Sequence, residues 1–135
     1  MRALTIRGHG GLDQLELRDD LPVPELRAAT DVRIRVRAAA LNHIDLFVVR
    51  GLPGSNVAAP WIVGSDLCGV VEQAGSAFTH VSEGDVVVVN PGMSDRTSAY
   101  CLAGEHPHCL KYRILGEHVP GTAAEHVVVP AANVR

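Results

Sequence analysis

The stretch that decides the fold runs from Pro60 to Gly75 and reads PWIVGSDLCGVVEQAG. Apolar and β-branched residues dominate it, and Pro and Gly bound it, a pattern that favours a buried strand over a helix. Its two internal glycines, Gly64 and Gly69, allow a bend or the close approach of another backbone. We therefore predict a central strand here, with Ser65 and Asp66 facing a cleft rather than the core.

The remaining chain predicts further strands around this one. Asp31 to Leu41 alternates apolar residues with arginines, which is typical of a half-buried strand with one wet face. Four consecutive valines, Val86 to Val89, predict a strand buried on both faces. His126 to Val129 predicts the last strand, and residues 52–60 predict a loop. Many short strands with little helix indicate a mainly β, barrel-like domain.

A change of period between Asn42 and Arg50 predicts a short helix. Ile44, Phe47 and Val48 fall at helical spacing in this segment. Asn42 stands where an N-cap is expected, and a glycine follows Arg50 where a helix ends. The valine pair at 48 and 49 is also compatible with a strand.

Length, charge and composition set limits on the class of protein. The chain has 135 residues, enough for one domain over 1–135, and its formal net charge is −3. This charge lacks the basic excess of a nucleic-acid-binding domain, and no apolar run reaches the ~20 residues that span a bilayer. No signal peptide is visible, and three cysteines do not form a disulfide framework. We expect a cytoplasmic protein without nucleic-acid or membrane partners.

An irregular lobe over about 91–113 carries the residues that suit a metal ion. Cys101 and Cys109 lie eight apart, with His106 and His108 between them and Asp95 upstream. A structural zinc ion needs four ligands in a tetrahedral arrangement, and only the two thiolates are certain candidates. The spacing leaves two alternatives open: a zinc-held lobe, or two reduced thiols in a loop.

Polar residues near the predicted helix and the central strand are candidates for chemistry. His43 could relay a proton because an imidazole titrates near neutral pH. Asp45 and Asp66 could orient a ligand hydroxyl or amide, although an Asp near a helix start often bonds only the local backbone. No Gly-x-Gly-x-x-Gly element occurs, so the chain carries no dinucleotide-binding fingerprint of its own.

Four segments together resemble the medium-chain dehydrogenase/reductase superfamily, which contains zinc-type alcohol dehydrogenases and quinone oxidoreductases. The resemblance covers nearly the whole chain and is to the amino-terminal GroES-like catalytic domain. It implies a partly open β-barrel with a short helix and a degenerate, zinc-finger-like lobe. The segments are Gly10–Leu15, Ala39–Leu46, Gly64–Val71 and Glu83–Val87.

The resemblance also implies what an intact family member does. Its second wall is a Rossmann domain that binds NAD(P), and the present sequence does not contain one. We therefore expect the substrate-side domain of an oxidoreductase acting on a small carbonyl or quinone, inactive alone because it cannot bind NAD(P). Hydride transfer needs donor and acceptor held together. The alternatives are a stand-alone GroES-like barrel serving as a binding or assembly module, and a zinc-held interaction module.

Departures from the family pattern concern its catalytic zinc. Zinc-dependent members carry a cysteine at the position matching Asn42 and a His-Glu pair at the positions matching Ser65 and Asp66. An amide and a hydroxyl are poor zinc ligands, so no catalytic zinc is expected. Asn42 with Asp45 instead resembles the Asn-x-x-Asp of zinc-independent quinone oxidoreductases.

The resemblance then implies the residues of the site. Asn42 and Phe47 match positions that line the cofactor cleft. We predict Asn42, His43, Asp45 and Asp66 as the catalytic residues.

The lobe departs from the family pattern as well. Zinc-binding relatives have four cysteines there, of which Cys101 and Cys109 remain, while Asp95 and Ser98 occupy the other two positions. We expect a structural zinc ion to be weakened or absent, with rescue by His106 or His108 as the alternative.

Overall fold

The computed structural model describes residues 1–53, 57–77 and 80–135. The predicted loop over 52–60 includes residues 54–56, which lie outside the described residues. The strands are β1 (Ala3–Ile6), β2 (Leu15–Arg18), β3 (Asp31–Ala40), β4 (Trp61–Ile62), β5 (Asp66–Ala74), β6 (Val86–Val88), β7 (Gly92–Met93), β8 (Arg113–Ile114) and β9 (His126–Pro130). The helices are α1 (His43–Arg50) and α2 (Ala99–Leu102), with 3-10 turns at Leu12–Gln14, His106–His108 and Ala131–Asn133.

The strands form three antiparallel sheets, and the predicted mainly β architecture is confirmed. Their orders are β2-β1-β4, β6-β5-β3-β9 and β7-β8. The central pair is β3 with β5, which extends from Val32 opposite Ala74 to Ala40 opposite Asp66 and is interrupted by two register shifts. None of these sheets closes on itself among the described residues, so the barrel is partly open.

Helix α1 follows directly from β3, and the sequence explains both of its ends. Asn42 at the N-cap has extended backbone angles, φ −125° and ψ 161°. Gly51 ends the helix with φ +92°, a conformation that glycine adopts without steric cost. The short helix predicted from the change of period is confirmed, and the strand alternative for Val48 and Val49 is wrong.

Two clusters of buried side chains hold the domain together. The larger one lies between the β6-β5-β3-β9 sheet and the segments after β8 and β9, and includes Val32, Ile34, Val71 and Val129. The smaller one joins α1 to the β2-β1-β4 sheet through Val48, Val49, Ile6 and Val63. Burying a valine or isoleucine side chain contributes about 1.5–3 kcal/mol, so the smaller cluster fixes where α1 lies.

The predicted central strand is divided into β4 and β5. Gly64, at φ +97°, bends the chain between them, and the two strands join different sheets. The close approach predicted at Gly69 is present, since a Cβ atom there would lie 2.5 Å from the carbonyl oxygen of Arg35. The sequence predicted the breaks, but β4 pairs with β1 rather than continuing into β5.

The prediction that Val86 to Val89 is buried on both faces is wrong. Val87 and Val89 are buried, whereas Val86 and Val88 are 75% and 54% exposed. β6 lies at the end of its sheet, and no layer of the described residues covers the outer face of Val86 and Val88. A run of valines therefore reports β propensity here and not two-sided burial.

Candidate functional site

The candidate site forms where α1 begins beside the start of β5. β3 ends with Ala40 paired to Asp66, and the chain passes through Leu41 into the N-cap at Asn42. The side-chain amide of Asn42 donates a hydrogen bond to Asp66, with 2.9 Å between Nδ2 and Oδ2. Two segments separated by 24 residues thus meet at an exposed pair of polar side chains.

Asp45 holds these two segments in place. Its carboxylate is 7% exposed, and its Oδ2 accepts a hydrogen bond of 2.7 Å from the backbone N–H of Asn42. Its Oδ1 accepts a bond of 3.1 Å from the backbone N–H of Gly64, two residues before Asp66. Each carboxylate oxygen is therefore occupied by a backbone donor.

An exposed apolar rim borders the pair. The rings of His43 and Phe47 lie on the same side of α1 with their centroids 6.4 Å apart. Phe47 is 48% exposed and Leu41 is 83% exposed, unusually open for large apolar side chains. The structure brings together Asn42, His43, Phe47 and Asp66 at an open surface.

Ser65 does not belong to this surface, so its predicted place in a cleft is wrong. It is 4% exposed, and its hydroxyl donates a hydrogen bond of 2.9 Å to the carbonyl oxygen of Leu115. Small residues after a bend can face either way, and the buried acceptor at Leu115 decides the direction. Asn42 and Asp66 bond each other, whereas the Ser65 hydroxyl bonds the backbone at Leu115.

The lobe gathers three residues whose ligand atoms suit a metal ion. The donor atoms of Asp95, Cys101 and Cys109 all lie within 4.8 Å of one another, and both thiols are buried. Ser98 completes the cluster, its hydroxyl 3.2 Å from Cys101 Sγ. His106 lies beside Ser94 instead, 3.0 Å from its hydroxyl, and is outside the cluster within the described part of the chain.

Hydrogen bonds from the backbone favour the charged forms in this cluster. The N–H groups of Ser98 and Thr97 hold the pKa of the Asp95 carboxyl well below its ordinary value. Hydrogen bonding from the backbone of Asp95, and then of Lys111, lowers the pKa of the Cys109 thiol. Thiolate and carboxylate are the forms in which Cys109 and Asp95 would bind a metal ion.

Comparison with known proteins assigns the chain to a family. Residues 28–135 match the model of the alcohol dehydrogenase GroES-like domain, and the chain belongs to this family. The resemblance and the partly open β architecture inferred from the sequence are thereby confirmed. Among the helices of the described residues, none has the length and apolar character needed to cross a bilayer.

The relatives include both alcohol dehydrogenases and quinone oxidoreductases. An NAD-dependent alcohol dehydrogenase of Sulfurisphaera tokodaii is 32% identical over 96% of this chain and 38% of its own length. Human quinone oxidoreductase is 31% identical over 78% of this chain and 32% of its own length. A crystal structure of an NAD-dependent alcohol dehydrogenase superimposes with a TM-score of 0.93 and 46% identity, over all of this chain and 39% of the other. The chain therefore spans well under half the length of these relatives.

Sequence reasoning gave local backbone bonding as one role of Asp45, which the bond from Asn42 N–H shows, and missed its bond to Gly64. The separation of Asn42 and Asp45 by three residues at a helix start is the spacing of a capping box, and that signal was available. The bond from Gly64 to Asp45 is long-range and leaves no local pattern.

Proposed function

We propose that this chain is the substrate-side domain of an NAD(P)-dependent oxidoreductase that reduces a small carbonyl or quinone without a catalytic zinc ion. The hydrogen bond between Asn42 and Asp66, at the positions that match zinc ligands in zinc-dependent family members, is the observation that carries the proposal. The Ser65 hydroxyl, buried against Leu115, supports it further, because it offers no ligand atom at that surface.

Each polar side chain of the candidate site has a separate role in this proposal. Asn42 uses one Nδ2 hydrogen to contact Asp66, and its second hydrogen is available to the oxygen of a substrate. Such a donor polarises a carbonyl and stabilises the negative charge that develops on its oxygen. His43, exposed beside it, is the group that can deliver a proton to that oxygen. Asp45 acts as a positioning residue, since both of its oxygens are occupied.

In this proposal the cofactor is bound by the second domain of the intact protein. NAD(P)H, bound by the second domain of an intact family member, supplies the hydride. The exposed apolar rim of Leu41 and Phe47 fits this arrangement, because an apolar surface beside polar groups is suited to being covered. We expect the 135-residue chain alone to transfer no hydride.

Two measurements test the proposal. NADPH oxidation with a quinone should not exceed the buffer control for this chain, and turnover well above it would refute the need for a second wall. In a ¹⁵N NMR titration with a soluble quinone, the largest amide shift changes should cluster at Asn42, His43, Phe47 and Asp66. A titration that shifts only residues distant from Asn42 would remove the site assignment.

A weak metal site in the lobe is a separate proposal. Asp95, Cys101 and Cys109 supply three ligand atoms, and the Ser98 hydroxyl is a poor fourth ligand. We expect zinc affinity below that of a four-cysteine site. Metal analysis tests the alternative of a zinc-held interaction module. Near-zero zinc in a folded preparation would remove that alternative.

A further inference from the structure

Thr122 is a polar residue that lies buried against the bend between β4 and β5. Its exposed fraction is 0%. The backbone N–H groups of residues 121–123 donate hydrogen bonds of 2.8–3.0 Å to the carbonyl oxygens of residues 62–64. These bonds join the two segments without any contribution from the Thr122 side chain.

The Thr122 side chain makes a separate bond, to the residue that carries the candidate carboxylate. Its hydroxyl donates a hydrogen bond of 3.0 Å to the backbone carbonyl oxygen of Asp66. The side chain of Asp66 in turn accepts, at Oδ2, the bond of 2.9 Å from Asn42 Nδ2. Two hydrogen bonds therefore connect the buried hydroxyl of Thr122, through Asp66, to the exposed amide of Asn42.

The Thr122 hydroxyl lies inside the bend, where it limits the backbone of Asp66. Gly64, two residues earlier, has φ +97° and no side chain, so position 64 restricts the chain little by itself. A Cβ atom at Gly64 would lie 2.8 Å from Thr122 Oγ1, which shows how close the hydroxyl is. Because the carbonyl carbon and the side chain of Asp66 share one Cα atom, holding the carbonyl oxygen also limits the direction of the carboxylate.

A buried hydroxyl can also be no more than a satisfied group of the core, and Thr5 provides an example. Thr5 is likewise 0% exposed, and its hydroxyl donates a hydrogen bond of 3.2 Å to the backbone carbonyl oxygen of Glu16. Thr5 and Glu16 lie on β1 and β2, outside the candidate site. The two threonines match in burial and in type of bond, and they differ in the residue that accepts it.

We propose that Thr122 is a positioning residue for the candidate site, whose hydroxyl holds Asp66 so that its carboxylate meets the Asn42 amide. With that bond formed, one Nδ2 hydrogen of Asn42 stays on Asp66, and the second is oriented for a substrate oxygen. The part that concerns substrate rests on the proposed function. The bond between Asn42 and Asp66 can be measured without a substrate.

The test compares two substitutions that conserve shape, Thr122→Val and Thr5→Val, in the 135-residue chain. Each replaces a buried hydroxyl by a methyl group and leaves one backbone carbonyl oxygen without its donor, so both should lower stability to urea. Only Thr122→Val should move the ¹H and ¹⁵N signals of the Asn42 side-chain amide toward their positions in Asp66→Ala. Thr122→Ser keeps the hydroxyl and should restore the signals of the unaltered chain.

A titration with a soluble quinone extends the test to substrate. The Kd of Thr122→Val should rise by about twofold to tenfold, the range expected for one hydrogen bond, whereas Thr5→Val and Thr122→Ser should bind as the unaltered chain does. If the unaltered chain binds no quinone at Asn42, the proposed function fails. The positioning role is then still decided by the Asn42 signals.

Two results overturn the positioning role. Asn42 signals in Thr122→Val that coincide with those of the unaltered chain would show that the hydroxyl does not hold Asp66. An equal shift of these signals in Thr5→Val would show that they report a general loss of stability. Should Thr122→Val fail to fold, Thr122→Ala takes its place, and it must move the Asn42 signals while Thr122→Ser does not.

Discussion

Replacing Asp45 by alanine removes the group that joins the start of α1 to the bend before β5. The variant leaves two backbone donors, Gly64 N–H and Asn42 N–H, without their acceptors. The Gly64 bond is buried, and a hydrogen bond to an ionised group contributes about 1.5–3 kcal/mol. The Asn42 bond belongs to the helix N-terminus, where capping contributes about 0.5–2 kcal/mol.

The combined loss in free energy of unfolding should be about 2–5 kcal/mol. In a chain of this length that lowers Tm by roughly 10 °C. Urea unfolding followed by fluorescence of Trp61, the single tryptophan, measures it. Trp61 donates a hydrogen bond to the carbonyl oxygen of Gly116, so its environment depends on the folded state.

Two variants control this experiment. Asp45→Asn keeps one carbonyl oxygen and should lose a smaller part of the free energy of unfolding. Glu83→Ala removes an exposed carboxylate and should remain within about 0.5 kcal/mol of the unaltered chain. If Asp45→Ala also stays within that margin and the Gly64 amide remains protected from exchange, the hydrogen bonds of Asp45 do not hold the start of α1 to the bend before β5.

The remaining predictions concern packing, pH and the lobe. Gly69→Ala should strongly destabilise the β3–β5 pair, because the added methyl meets the Arg35 carbonyl at 2.5 Å; unchanged urea stability would contradict this. Burial acts to raise the pKa of Glu72, yet hydrogen bonds from Arg33 and the charge of His126 hold that pKa below its ordinary value. The resulting stabilisation is present above the unfolded-state pKa of about 4.5 and is lost as the pH falls through the folded-state pKa. Glu72→Gln should therefore reduce the loss of stability at acid pH. If stability falls as steeply in the variant, the contacts of Glu72 with Arg33 and His126 do not stabilise the fold. Co²⁺ added to the reduced chain should give thiolate charge-transfer absorption that Cys101→Ser weakens, and equal absorption in both would place the metal elsewhere.

Patterns among neighbouring residues predicted the strand β3 and the two ends of helix α1. The alternation in β3 appears in the sequence as period two, because one face is buried and the other is wet. The limits of α1 appear as Asn42 and Gly51, because helix ends need side-chain or glycine solutions to their unpaired backbone groups. Both features depend only on neighbouring residues, which is why the sequence alone predicts them.

The sequence alone did not predict features that depend on residues distant in the chain, such as burial, grouping of ligands and strand register. The exposure of Val86 and Val88 depends on the absence of a covering layer over β6, which no property of valine reports. The sequence named Asp95, His106 and His108 as alternatives beside the two cysteines and could not choose among them, because a spacing of eight residues does not define a geometry. The pairing of β9 with β3 depends on the register between the two strands, and a run of valines contains no information about register.

The position of Ser65 connects the candidate site to the segment that follows β8. The Ser65 hydroxyl ties the bend before β5 to Leu115, directly after β8. The backbone at Gly116 and Gly121 packs closely against this bend. A Cβ atom at these positions would lie 2.5 and 2.4 Å, respectively, from the carbonyl oxygen of Gly64. The hydrogen-bonded pair and the buried serine are two consequences of the same backbone path.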